Sequence, residues 1–204
     1  MKHSAVATVL ADEFYPVRLR IGACRQEMID RFDEFVLNNP NLHLEQTADG
    51  EVIVMLPTGG RSGIRDTEVT KQVANWAAGS GGQVFDSQTL FRLPNGSKRG
   101  PDCAWVQQAR WDALSDEEQE AYPPLAPDLV IELRSKTDRN STLHLKMEEY
   151  VANGVKLGWL IDPYERMVYV YRPPQPVTEL RVPLELDGED IAVGLKLNLA
   201  VIFS

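Results

Sequence analysis

Residues 127–150 read PDLVIELRSKTDRNSTLHLKMEEY. The run Leu129–Leu133 is apolar except for one carboxylate, Glu132, set among neighbours that a sheet would bury. A polar turn follows, then a helix over 142–152 on which Leu143, Met147, Tyr150 and Val151 share one stripe. Lys146 flanks that stripe, one turn before Tyr150. Upstream, Pro101-Asp102 opens a second apolar strand, Asp102–Val106. A carboxylate is expensive to bury without a partner. Two of them on neighbouring apolar strands, with a cation on the following helix, therefore need a chemical explanation.

Hard divalent cations such as Mg²⁺ take oxygen ligands, usually one or two carboxylates completed by water and substrate phosphate. Asp102 and Glu132 supply that pair, and the backbone carbonyl of Leu133 is a further candidate ligand. Lys146 either lays its stem over apolar surface or presents a cation to a scissile phosphate. Arg134, two residues past Glu132, falls on the same strand face by the period-two rule and is an alternative source of that charge. It stays protonated, so it cannot serve as a general base. Glu68 is a weaker candidate, because it falls off the apolar stripe of the helix expected over 64–78, formed by Val69, Val73, Trp76 and Ala77. A solvated position, favoured by the helix dipole, also explains it.

The rest of the chain frames these residues. A loosely structured lead-in is expected over 1–23, a helix over 24–39, and two strands, 42–46 and 51–56, joined by an Asp-Gly hairpin turn. After the 64–78 helix come a strand region over 83–93 and an acidic, solvent-facing helix near Asp116–Glu120. Strands over 157–161 and 167–171 follow, and an extension over 173–204 begins at Pro173, Pro174 and Pro176. No repeat or domain boundary stands out, so residues 1–204 are expected to form one domain. The alternation of helices and strands argues for an α/β (α+β) fold with a mixed sheet.

Composition sets bounds. With 204 residues, 43% hydrophobic and 25% charged, the chain suits a globular core. No apolar run approaches the roughly 18 residues of a membrane span. The N-terminus makes a poor signal peptide, and the two cysteines lack metal spacing, so a reduced, cytoplasmic chain is expected. The net charge of −9 runs against extensive phosphate contact and implies a salt-sensitive grip on any nucleic acid. P-loop, dinucleotide-fingerprint, nucleophile-elbow and HExxH motifs are absent, the histidines have no ligand spacing, and no aromatic stripe interleaves with basic residues.

Taken together, Pro101-Asp102, PDLVIELRS, the helix with Lys146 and Tyr150, and the later GWLIDP with its following alternating strand resemble the Uma-two endonuclease-like family. That family sits within the restriction-endonuclease-like PD-(D/E)XK superfamily. The resemblance runs from about residue 30 to the C-terminus and includes the MLPTGG corner. It implies a central mixed β-sheet flanked by helices, a Mg²⁺ or Mn²⁺ ion held by Asp102 and Glu132, and hydrolysis of DNA phosphodiester bonds. It also implies a helix acid near Glu68. A homodimer is expected on functional grounds, because a nuclease cutting both strands often uses two sites, with the Pro-rich break and its strand-like tail as a candidate interface. The chain departs from the parent motif where Arg134 replaces the strand lysine, and Lys146 looks like its relocated counterpart. Two readings stay open: an active enzyme with a moved cation, or a degenerate scaffold that binds without cutting.

Overall fold

The structure, a computed structural model, describes residues 8–10 and 17–204. β1 (Thr8–Leu10) pairs antiparallel with β2 (Val17–Arg20), so part of the expected lead-in is strand; residues 1–7 and 11–16 lie outside the described residues. The helix expected over 24–39 is broken at Arg31 into α1 (Arg25–Asp30) and α2 (Phe32–Asn38). β3 (His43–Gln46) and β4 (Val52–Met55) form the Asp-Gly hairpin. Gly50 there adopts φ +86°, and a Cβ on it would lie 2.9 Å from that of Met28, so the turn admits only glycine.

α3 (Gly60–Ser80) leads to β5 (Gln83–Asp86), β6 (Phe91–Arg92), β7 (Lys98–Arg99) and β8 (Cys103–Val106). The single strand region expected over 83–93 is divided between two sheets, β5 pairing with β8 and β6 with β7. An Asx turn causes the break: Oδ1 of Asp86 accepts the Gln88 N–H at 3.0 Å and its C=O accepts the Thr89 N–H at 3.1 Å. α4 (Gln108–Trp111) precedes α5 (Asp116–Glu120), the acidic segment, which starts at a capping box between Ser115 and Glu118.

The remaining elements are β9 (Leu129–Leu133), α6 (Asn140–Ala152), β10 (Leu157–Asp162), β11 (Met167–Tyr171), β12 (Thr178–Arg181), β13 (Glu185–Asp187) and β14 (Lys196–Asn198). One six-stranded sheet runs β1-β2-β4-β3-β7-β6, and a second runs β12-β11-β10-β9-β8-β5. In the second sheet β9 and β10 are parallel, joined across α6, while the other neighbours are antiparallel. The fold is therefore mixed α/β around a central mixed sheet.

Every residue of β8, β9 and β10 is buried, as a sheet covered on both faces requires. Leu129, Ile131 and Leu133 point into one core with Val69 and Val73 of α3 and Leu197 of β14. Val130, Ala104 and Leu160 point into the other with Met147 and Tyr150 of α6. The 173–204 segment closes over α3: Gln72 Nε2 donates to the Asn198 carbonyl at 3.0 Å, and its Oε1 accepts the Asn198 N–H at 2.7 Å.

Candidate active site

Register brings the two strand acids together. β8 and β9 are antiparallel with Cys103 opposite Ile131, so one further step sets Asp102 opposite Glu132. Both then fall on the face that carries Ala104 and Val130. Oδ2 of Asp102 accepts the Leu133 N–H at 2.7 Å, which pins the carboxylate to the end of β9. Glu132 is 3% exposed. Its Oε1 accepts from the Tyr150 hydroxyl at 3.2 Å and lies 2.8 Å from Lys146 Nζ. Lys146 and Tyr150 stand one helical turn apart and so reach the same carboxylate from α6.

Lys146 Nζ is held from three directions, by Glu45 Oε1 at 2.8 Å, Glu132 Oε1 at 2.8 Å and the Gly100 carbonyl at 3.0 Å. Glu45 also accepts from Arg99 Nη1 and from the Gly100 N–H, both at 3.1 Å. Arg99 in turn donates through Nε to Glu149 at 2.7 Å. The result is a buried chain of alternating charge linking β3, β7, α6 and β9.

Burial pushes the Glu132 carboxyl up to about 8 and that of Asp102 up to about 7, with Lys146 pulling both back and neighbouring acids adding to the rise. For Glu45 the same burial is outweighed by Lys146 and Arg99, which hold it below the usual range. Burial would lower the Lys146 ammonium, but Glu132 and Glu45 keep it well above the usual lysine range. The site is thus two reluctant acids beside one firmly held cation.

The remaining candidates divide. Glu68 is directed elsewhere: its carboxylate pairs with Lys71 and accepts from Gln72 at 3.0 Å, both on its own helix. Asp66 is the α3 acid that faces the strand acids. It shares a cleft with Asp102, Thr70 and Asp86, and burial, followed by repulsion from Glu132, pushes it up to about 6. Its spacing was visible, since Asp66 lies three residues before Val69 and seven before Val73 on the buried stripe. Arg134 falls just past the end of β9 and is taken up by Asp162 Oδ2 at 2.7 Å; it does not line the cavity that Lys146 and Glu132 share. Leu133 lines that cavity, and its N–H is what holds Asp102.

Glu45 and His43 belong to the site and carry no signal in the strand pattern. They alternate with buried Leu44, so β3 reads as one apolar and one solvated face, but α6 and the second sheet cover the supposedly solvated one. Asp128, one residue before β9, serves the fold instead. It accepts the Gln107 N–H at 2.9 Å and pairs with Arg110 and Lys156.

Asp102, Glu132, Lys146, Glu45 and His43 line a cavity of about 380 Å³. Among the described residues, no three His, Cys, Asp or Glu side chains form a ready-made metal cage. The donor set nevertheless suits a hard divalent cation. The contacts on Asp102 fall on Oδ2 and those on Glu132 on Oε1, leaving the second oxygen of each unengaged among the described residues. Two carboxylates with water and substrate completing the shell is the usual Mg²⁺ arrangement.

Residues 29–200 match the family described as "Uma2: Putative restriction endonuclease". The chain belongs to the Uma2 family. The matched span contains every residue of the site, from His43 to Lys146. Among solved structures, this Uma2 chain is similar to a protein of Anabaena variabilis described as "a putative nuclease belonging to DUF820". The TM-score is 0.69 and the identity 21%, over 78% of this chain and 89% of that one. At that identity the likeness is one of fold. The DrdV–DNA complex is similar with a TM-score of 0.38 and 14% identity, over 77% of this chain and 12% of that one, a likeness too low to establish a shared fold. No curated protein matches the chain. Among the described residues, no helix is long and apolar enough to cross a membrane.

Proposed function

We propose that this Uma2 chain is a divalent-metal-dependent endonuclease that hydrolyses DNA phosphodiester bonds. Asp102 and Glu132 would hold Mg²⁺ or Mn²⁺, with the Leu133 carbonyl as a further oxygen donor. A cation so held supplies Lewis-acid polarisation of a phosphoryl oxygen. Lys146 remains an ammonium: it offsets negative charge developing on the phosphate and does not take a proton from the attacking water. Glu45 and the Gly100 carbonyl fix the direction of its Nζ. Tyr150 orients Glu132 through the bond to Oε1.

The observation that carries this reading is the placement of Asp102 and Glu132 side by side in a buried cavity, with carboxyls raised to about 7 and about 8. Such a pair gains most from a cation, because the cation relieves both desolvation and mutual repulsion. The test is incubation of supercoiled plasmid with the purified chain and Mg²⁺ or Mn²⁺, beside Asp102→Asn and Glu132→Gln. Nicking or linearisation that disappears in both variants and in chelator supports the proposal; activity that survives both sinks the site assignment.

A second reading, a nuclease-fold protein that binds without cutting, is favoured by Arg134. It stands at the motif lysine position and spends its charge on Asp162. Metal-dependent binding of DNA with no cleavage in the same assay would select it.

A further inference from the structure

We propose that the cavity takes an unpaired nucleotide, so that single-stranded or locally opened DNA is the substrate and intact duplex is not. This inference rests on DNA being the ligand of the site.

Three observations lead there. First, the carboxylates are recessed: Glu132, 3% exposed, sits in a cavity of about 380 Å³, near the lower end of the roughly 300–1,000 Å³ of sites that enclose one small molecule. A duplex carries its phosphates on an outer surface with the bases stacked inside. To bring a phosphate against these acids, the strand must leave the stack and carry its nucleoside in with it.

Second, the cavity is two-sided. Ile53, Met55 and Pro57 from the β4 end and Leu143 and Leu145 from α6 line it together with the acids, and Leu145 is 65% exposed. Apolar side chains flanking an ionic floor suit a base beside its own phosphate. The lining is aliphatic, with no Phe, Tyr or Trp among the described lining residues; it suits one base rather than a stacked run. His43 supplies a polar handle. Its Nε2 is buried without a hydrogen-bond partner among the described residues, a state that a ligand atom would relieve.

Third, the cavity offers little to a duplex backbone. Of its four Lys and Arg residues, Arg18 pairs with Glu51, Arg99 with Glu45 and Glu149, and Lys146 with Glu45 and Glu132, and the fourth, Arg139, is not free either. Duplex binding draws on many unpaired cations along the phosphates, and the chain carries a net charge of −9.

The experiment uses one labelled sequence in three forms: single strand, perfect duplex, and duplex with one bulged nucleotide. Binding is read by fluorescence anisotropy in chelator, and cleavage with Mn²⁺. Single strand and bulge are expected to bind, and to be cut, at least about tenfold better than duplex, with cuts mapping to the bulge. Leu145→Ala, at an exposed position that leaves the fold intact, is expected to shrink that ratio by weakening single-strand binding. Equal binding and cutting of duplex and single strand overturns the inference alone. Single-strand preference in binding with no cleavage of any form supports it while overturning the nuclease reading. Absence of binding and cleavage of all three overturns both.

Discussion

Lys146→Met removes the one cation that β9, β3 and the Gly100 carbonyl share. The side chains of Lys146, Glu45 and Glu132 are 11%, 3% and 4% exposed, so solvent screening does not discount the interaction. Removing one partner of a buried ion pair costs about 3–5 kcal/mol. The bottom of that range applies here because Glu45 keeps Arg99 and the Gly100 N–H. A loss of about 3 kcal/mol corresponds to a fall in Tm of roughly 6–12 °C for a chain of this size. The assay is thermal unfolding by circular dichroism at neutral pH in chelator, with Glu45→Gln and the double variant closing a cycle. A coupling of about 1–3 kcal/mol is expected, because the two residues touch. A Tm within about 2 °C of wild type, or strict additivity in the cycle, would refute the idea that Lys146 is the keystone of a buried charge network.

Stability of the metal-free protein should fall as pH rises. Glu132 moves from 4.5 to about 8, Asp102 from 3.8 to about 7 and Asp66 from 3.8 to about 6 on folding. The folded state therefore holds protons that the unfolded chain releases, and urea midpoints should drop between about pH 5 and about pH 8. Mn²⁺ should raise the midpoint more at the alkaline end, where protons no longer compete with it for the buried carboxylates; a flat profile without metal contradicts the burial of these acids. On the cleavage assay, Glu68→Ala should leave activity within about twofold, as a substitution away from the site does, whereas Asp66→Asn should lower it by roughly 10–100-fold, as loss of a group supporting metal ligands does. The reverse ranking would restore Glu68 to the site. Arg134→Ala should cost about 1–3 kcal/mol by stranding Asp162, which is fully buried, and should leave DNA affinity in chelator unchanged; a selective loss of DNA affinity would place Arg134 on the substrate.

The sheet and the acid pair were legible because both depend on local rules. Apolar runs of four to six residues bounded by Pro and Gly are strands, and Asp102 and Glu132 stood out as charges inside them. Lys146 was legible from helical spacing alone. What escaped were facts of long-range covering. Glu45 and His43 alternate with apolar residues in a way that means solvent unless another layer happens to lie above, and no local pattern announces α6 overhead. Asp66 and Glu68 differ only in phase: both are acids near the same helix start, and extension of the Val69–Val73 stripe backwards is what tells which of them faces the strands. For Arg134 the period-two rule gave a strand face and no partner: the guanidinium is engaged by Asp162, a residue 28 positions further on that no local pattern announces. The strand region over 83–93 failed at Asp86, whose side chain closes a turn that a hydrophobicity pattern does not register.

The parallel pairing of β9 with β10 obliges the chain to travel over the sheet between them, and α6 is that passage. The strand end and the passing helix consequently overlook one spot, and a positive charge has two addresses from which to serve it. Exchange of the lysine between strand and helix then requires no change of topology, only two substitutions made in either order. A lineage can cross that interval without abandoning the fold, and a designer can reverse it, returning a lysine to the strand while withdrawing the one on the helix. The motif that names the superfamily is, on this view, a property of a place rather than of a spacing.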